Sequence, residues 1–79
     1  MHRNIFPLSS VPENKDVEMV SVQGGRGLQL RLASMGLNIG VKFKILRSVK
    51  KGPCVILIGN TRLVLGFGMA SRVLVRILR

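Results

Sequence analysis

The chain has 79 residues, with 13 Lys and Arg against three Asp and Glu, so its formal net charge is +10. This length fits one small domain, and an apolar content of 47% is too high for a disordered chain. The three acids all lie before residue 19, so the body of the protein is predicted to be a cation without internal counter-charge. Reactions that need a carboxylate pair are thereby disfavoured, and an enzyme is not expected.

The N-terminal segment, residues 1 to 14, is predicted to be an irregular arm because Pro7 and Pro12 interrupt it and no periodicity is visible. The folded domain is then expected to span residues 15 to 79. Its first strand is predicted from Asp16 to Val22, where short β-favouring residues precede a glycine pair.

A short helix is predicted over residues 27 to 35. Apolar residues recur there at positions i, i+4 and i+7, which lie on one helical face: Leu28, Leu32 and Met35. Gly36 is expected to end the helix by taking a positive φ, with the apolar Leu37 behind it.

The second half of the chain predicts four more strands. Residues 41 to 47 alternate between apolar and basic side chains, and residues 71 to 78 alternate in the same way. Between them, residues 54 to 58 and 61 to 65 read as an antiparallel pair joined by the two-residue turn Gly59-Asn60. Residues 66 to 70 are predicted to form a glycine-bearing corner.

Together these elements predict an all-β fold, a small SH3-like antiparallel barrel of about five strands with one short helix between the first two strands. A domain of this size draws only about 3 to 5 kcal/mol from its core. Binding to a partner surface or to further copies of itself is therefore expected.

No metal or cofactor site is predicted, since His2, Cys54 and the three acids are scattered without usable ligand spacing. Cys54, the single cysteine, cannot form an internal disulfide and is expected to be an inert core residue. A cytoplasmic location is therefore expected. The longest uncharged stretches, such as residues 52 to 61, are about half the length of a membrane-spanning helix.

Basic residues provide the main functional signal, because several lie on the outward parity of two predicted strands or near the helix. Candidate partner-binding residues are Arg26, Arg31, Lys42, Lys44, Arg72, Leu74 and Arg76. The cations among them are expected to attract an acidic protein face or the anionic inner leaflet of a membrane, and Leu74 is expected to fix the complex by apolar contact. A nucleic acid is less favoured, because the chain has no Trp or Tyr and only three Phe for base stacking.

Glycine corners, caps and core positions from Pro7 to Val75 resemble those of the FeoA family. The resemblance is carried by Pro7-Leu8-Ser9, Gly25, Arg31-Leu32, Met35-Gly36-Leu37, Gly40, Gly52-Pro53, the hairpin from Ile58 to Leu63, Gly66 and Ala70. The family usually has a glycine before its first strand, where this chain has Asn14-Lys15. Asn tolerates the same backbone region, so the departure is minor.

The resemblance implies a stand-alone, non-enzymatic accessory protein of ferrous iron uptake. Such a protein would bind the cytoplasmic part of the FeoB transporter and modulate it, possessing no cofactor of its own. The residues leave two alternatives open: a small basic nucleic-acid-binding barrel, and a protein that binds transition metal ions directly.

Overall fold

Six strands form one antiparallel sheet in the computed structural model, which describes residues 4 to 78. The strands are β1 (Ile5–Pro7), β2 (Asp16–Val22), β3 (Lys42–Ser48), β4 (Cys54–Ile58), β5 (Thr61–Leu65) and β6 (Val73–Ile77). Helix α1 (Arg26–Ser34) connects β2 to β3, and the single turn α2 (Phe67–Ala70) connects β5 to β6.

The strand order is β1-β6-β2-β3-β4-β5. The sheet curls around its apolar face, but no ladder joins its two edges, β1 and β5, within residues 4 to 78. The predicted all-β, SH3-like fold is confirmed, with six strands instead of about five and a barrel that stays open.

The core follows the alternation predicted from the sequence. Inward-facing residues of the central strands are fully or almost fully buried, and α1 and the segment after it add two leucines. These residues are Val17, Met19, Phe43, Ile45, Cys54, Ile56, Val73, Val75, Leu32 and Leu37. A β-bulge between Met19 and Ser21 and another between Ile45 and Arg47 bend the two strands β2 and β3.

The N-terminal segment is part of the fold, so the predicted irregular arm is wrong over residues 5 to 10. Strand β1 pairs with β6, and a single 3₁₀ turn follows it. Leu8 is 0% exposed and Val11 is 2% exposed. Pro7 does not prevent the pairing because β1 is an edge strand, where a missing N–H is tolerated.

The predicted glycine corner at residues 66 to 70 contains the helical turn α2. The N–H of Ala70 donates to the carbonyl of Gly66 at 2.9 Å, and that of Ser71 donates to the carbonyl of Phe67 at 2.9 Å. Ala70 is fully buried. The sequence did not predict this helix, because four residues form a single turn and are too few to show an apolar periodicity.

Helix α1 ends as its sequence predicts. Gly36 has φ +93°, its N–H donates to the carbonyl of Ala33, and the N–H of Leu37 donates to the carbonyl of Leu32. These two bonds form a Schellman motif, in which the residue after the cap must take a positive φ. Asn14, at φ +67°, also occupies the left-handed region that the sequence suggested for it.

We expect Gly36→Ala to lower the free energy of unfolding by about 1 to 2 kcal/mol, because alanine is strained at positive φ. Gly27→Ala is the matched control. Neither added Cβ would meet an atom within 4 Å, but Gly27 lies inside α1, where alanine is favoured over glycine by up to about 1 kcal/mol. In urea denaturation the midpoints of the two variants should therefore shift in opposite directions. Equal shifts would contradict the role of Gly36 in the helix cap.

Candidate partner-docking surface

Strand β2 lies between β6 and β3, and this position brings the acids next to the basic residues. Glu18 lies opposite both Lys42 and Arg76, and Asp16 lies opposite Lys44. Arg76 Nη1 is 3.3 Å from Glu18 Oε1. The prediction of a cationic body without internal counter-charge is therefore wrong on this face, because β2 places two carboxylates between the basic strands.

The third acid also contacts the sheet. Glu13 Oε2 accepts a hydrogen bond from the N–H of Ser48 at 3.0 Å.

Because the ion pair of Arg76 and Glu18 is partly exposed, it contributes at most about 1 kcal/mol to stability. Its main effect is to make Arg76 less available to an external anion than the sequence suggested.

Lys42 and Lys44 line an open groove of about 550 Å³ on the outer face of the sheet. Leu57 and Leu78 provide apolar lining, and Asp16 lies at the same groove. Lys42 is exposed and Lys44 is half-buried. The groove thus combines two ammonium groups with apolar surface, a combination that suits an acidic segment carrying an apolar side chain.

Leu74 lies on the same face of the sheet as Arg76, two residues earlier in β6. It is half-buried, opposite Ser21 of β2 and Pro7 of β1. A small apolar groove is lined by Leu74 together with Ile5 and Val20. Leu74 is thus close to the basic side chain of Arg76 but packs mainly against its own sheet.

Arg26 is separate from the sheet residues. It is exposed as the first residue of α1 and lines a groove of about 360 Å³ between this helix and the segment that follows it. Two leucine-sized side chains project along the same groove and are largely solvent-exposed, Leu30 at 60% and Ile39 at 59%. Neither was predicted as a candidate from the sequence, although the helical periodicity places Leu30 off the core-facing side.

Arg31 and Arg72 are both exposed. Arg31 occupies the last turn of α1, where a cation interacts favourably with the helix dipole. Arg72 precedes β6, and its carbonyl accepts a hydrogen bond from the N–H of Gln23 at 2.7 Å, which places its backbone near the start of α1. The structure thus brings Lys42, Lys44, Leu74 and Arg76 onto one sheet face and leaves the other three candidates around α1.

Three outward-facing residues were missed by the sequence analysis: Arg47, Arg62 and Val64. Across the sheet, Lys44 lies opposite Leu57 and Leu57 opposite Arg62, while Arg47 lies opposite Val55 and Val55 opposite Val64. The alternation within residues 61 to 65, where Leu63 and Leu65 share one side, is the signal that could have identified Arg62 and Val64 as outward-facing. Their adjacency to β3, however, depends on cross-strand register.

Cys54 is 2% exposed, and burial raises the pKa of its thiol. A buried thiol of this kind is a poor nucleophile and a poor metal ligand. Within residues 4 to 78, no three His, Cys, Asp or Glu side chains come close enough to hold a metal ion together. In the same part of the chain, no helix has both the length and the apolar character needed to cross a membrane.

Comparison with known proteins matches residues 6–77 to the FeoA domain. A protein of Methanocaldococcus jannaschii, provisionally named Fe(2+) transport protein A, is 34% identical over 71 residues, which cover 90% of this chain and 85% of that protein. The FeoA domain match begins at residue 6, within the N-terminal segment, in agreement with the participation of β1 and Leu8 in the fold.

Solved structures give the same result. A crystal structure of an iron uptake regulatory protein (FeoA) superposes with a TM-score of 0.87 at 36% identity, covering 94% of this chain and 99% of that one. The solution structure of FeoA from Chlorobium tepidum has a TM-score of 0.81 at 28% identity, covering 94% of this chain and 71% of that one. A manganese-dependent transcriptional repressor shares the fold alone, with a TM-score of 0.84 at 16% identity over 94% of this chain and 42% of the repressor.

Proposed function

We propose that this chain, which belongs to the FeoA family, binds the cytoplasmic part of a FeoB-like transporter and modulates its activity without being an enzyme. The family assignment makes it an accessory protein of ferrous iron transport. The observation that supports docking is the groove that Lys42 and Lys44 line together with Leu57 and Leu78.

This groove favours an acidic protein partner for two reasons. Its ammonium groups would steer an acidic surface during encounter, and its apolar lining would hold the complex once water is excluded. Lys42 is the more accessible of the two lysines. We therefore assign it the larger part in encounter, and Lys44 the contact nearer to Leu57, its cross-strand neighbour.

We place the protein in the cytoplasm, at the inner face of the membrane that holds the transporter. The same cations are attracted to anionic lipid, and this electrostatic attraction falls off within about one Debye length of the membrane surface. Binding to the transporter domains and binding to vesicles are therefore separate measurements. Retention on anionic vesicles without retention by the transporter domains would contradict the docking proposal.

The test is a pull-down of this protein with the transporter's cytoplasmic domains. We expect Lys42→Gln with Lys44→Gln to weaken binding by about tenfold, because both ammonium groups are lost from the groove while no carboxylate is placed opposite Glu18 or Asp16. Lys50→Gln with Lys51→Gln is the matched control, since it makes the same change in net charge on an exposed loop outside the groove. Equal weakening by both pairs would show that only overall charge matters and would refute the groove.

Arg76 is left out of this variant for a structural reason. Its guanidinium lies 3.3 Å from the Glu18 carboxylate, so replacing it would break this ion pair within the sheet as well as change the docking face. Competition with duplex DNA at physiological salt completes the test. Tight duplex binding without retention of the transporter domains would favour the nucleic-acid alternative.

A further inference from the structure

The two edges of the sheet are protected differently. Strand β1 has three residues and ends in Pro7, which cannot donate a hydrogen bond to an added strand. Strand β5 has five residues, contains neither Pro nor Lys, and pairs with β4 without a register shift. Within residues 4 to 78 no strand pairs with its other side. Native edge strands are usually blunted by Pro, charged side chains, bulges or covering loops; β5 has no Pro and no bulge, and Arg62 is its one charged residue.

The hairpin geometry shows which backbone groups face the open side. Gly59 has φ +58° whereas Asn60 has no positive φ, the pattern of a two-residue type II′ turn. Its flanking residues Ile58 and Thr61 then form a hydrogen-bonded pair, and such pairs recur at every second position. Residues 61, 63 and 65 thus bond to β4, so the N–H and C=O groups of Arg62 and Val64 point to the open side.

Side chains at this edge offer apolar and cationic contacts together. Val64 is 68% exposed, the highest value among the large apolar residues of the described chain that stand out to solvent. Arg62 is also exposed. Strands β4 and β5 carry one charged residue, Arg62, while β3 and the loop from residue 49 to 53 add five Lys and Arg; none of these segments contains an acid. A strand placed beside β5 would therefore meet the positive charge of Arg62, with no carboxylate in β4 or β5 to oppose it.

We propose that the open edge of β5 binds an extended acidic segment of a partner protein, which adds to the sheet as a seventh strand. The backbone of the segment would bond to Arg62 and Val64, with an acidic side chain beside Arg62 and an apolar one beside Val64. A second copy of this chain is the less suitable occupant, because both copies carry a charge of +10 and each edge would present Arg62. This inference concerns backbone groups outside the Lys42 and Lys44 groove and does not rest on the proposed function.

The experiment is an NMR titration of the full chain with a short capped peptide in which Glu and Val alternate. We expect the amide resonances of Arg62 and Val64 to shift and to become protected from hydrogen exchange. Val64→Pro removes the outward N–H without removing a bond to β4, and it should weaken binding by about tenfold or more. Val64→Thr, which retains the N–H, is the control and should weaken binding less.

Arg62→Glu provides a second variant that needs no proline in the strand. It should weaken binding of the Glu peptide and should favour a peptide in which Lys replaces Glu. Three results would overturn the inference: no shift at Arg62 and Val64 at roughly 1 mM peptide, shifts confined to the groove beside α1, or equal binding by the Pro and Thr variants. Shifts at Arg62 that depend on protein concentration without peptide would identify a second copy as the occupant and would also refute it.

Discussion

Leu8→Ala is expected to lower the free energy of unfolding by about 2 to 5 kcal/mol. Leu8 is 0% exposed, so truncation removes buried methyl groups and leaves a cavity beneath the N-terminal segment. A domain of this size has about 3 to 5 kcal/mol of stability from its core. The variant should therefore retain at most about 3 kcal/mol of stability and would be largely unfolded at room temperature only at the upper end of this loss; circular dichroism during urea denaturation would measure it.

Leu30→Ala is the matched control for this variant. Leu30 is 60% exposed and lies in α1, where alanine is a good helix former, so we expect a change within about 0.5 kcal/mol. Similar denaturation midpoints for the two variants would show that the N-terminal segment does not contribute to the core. The difference between them therefore measures the part that Leu8 has in the fold.

Ala70→Leu is expected to lower the free energy of unfolding by about 1 to 3 kcal/mol through overpacking. Ala70 is 0% exposed in α2, so three additional carbon atoms cannot be accommodated without displacing neighbours. Thermal denaturation would measure the loss.

Gly68→Ala in the same helical turn is the control for this prediction. An added Cβ at Gly68 would meet no atom within 4 Å, so alanine should be neutral there or raise stability by up to about 1 kcal/mol. A leucine at position 70 that leaves stability unchanged would show that α2 does not close this corner of the core.

Local patterns were sufficient for several elements. The turn at Gly59-Asn60 and its two flanking strands have the predicted bounds, because a hairpin depends on neighbouring residues and on a backbone that glycine permits. The cap of α1 at Gly36 was predicted for the same reason. Strand β1 and the turn α2 were missed, since β1 exists only through pairing with β6, about 70 residues away in the chain, and α2 is a single turn.

The candidate surface divides in the same way. Alternation predicted that Lys42, Lys44 and Arg76 face outward, and the structure has them on the outer face of the sheet. The contact of Glu18 with Arg76 could not be predicted, because it depends on which strands are neighbours. Likewise, the sequence shows that Arg62 and Val64 face outward but not that β5 is an edge.

By itself, the sequence determined the sign of the charge, the alternation that builds the core, the hairpin and the helix cap, and the resemblance to the FeoA family. These depend on composition and on interactions between residues close in the chain. Tertiary structure alone decided that the acids of β2 lie among the cations, that the N-terminal segment closes the core, and that β5 is left with an open side. Each of these depends on strand order and register, which arise from pairing between distant segments and leave no local pattern.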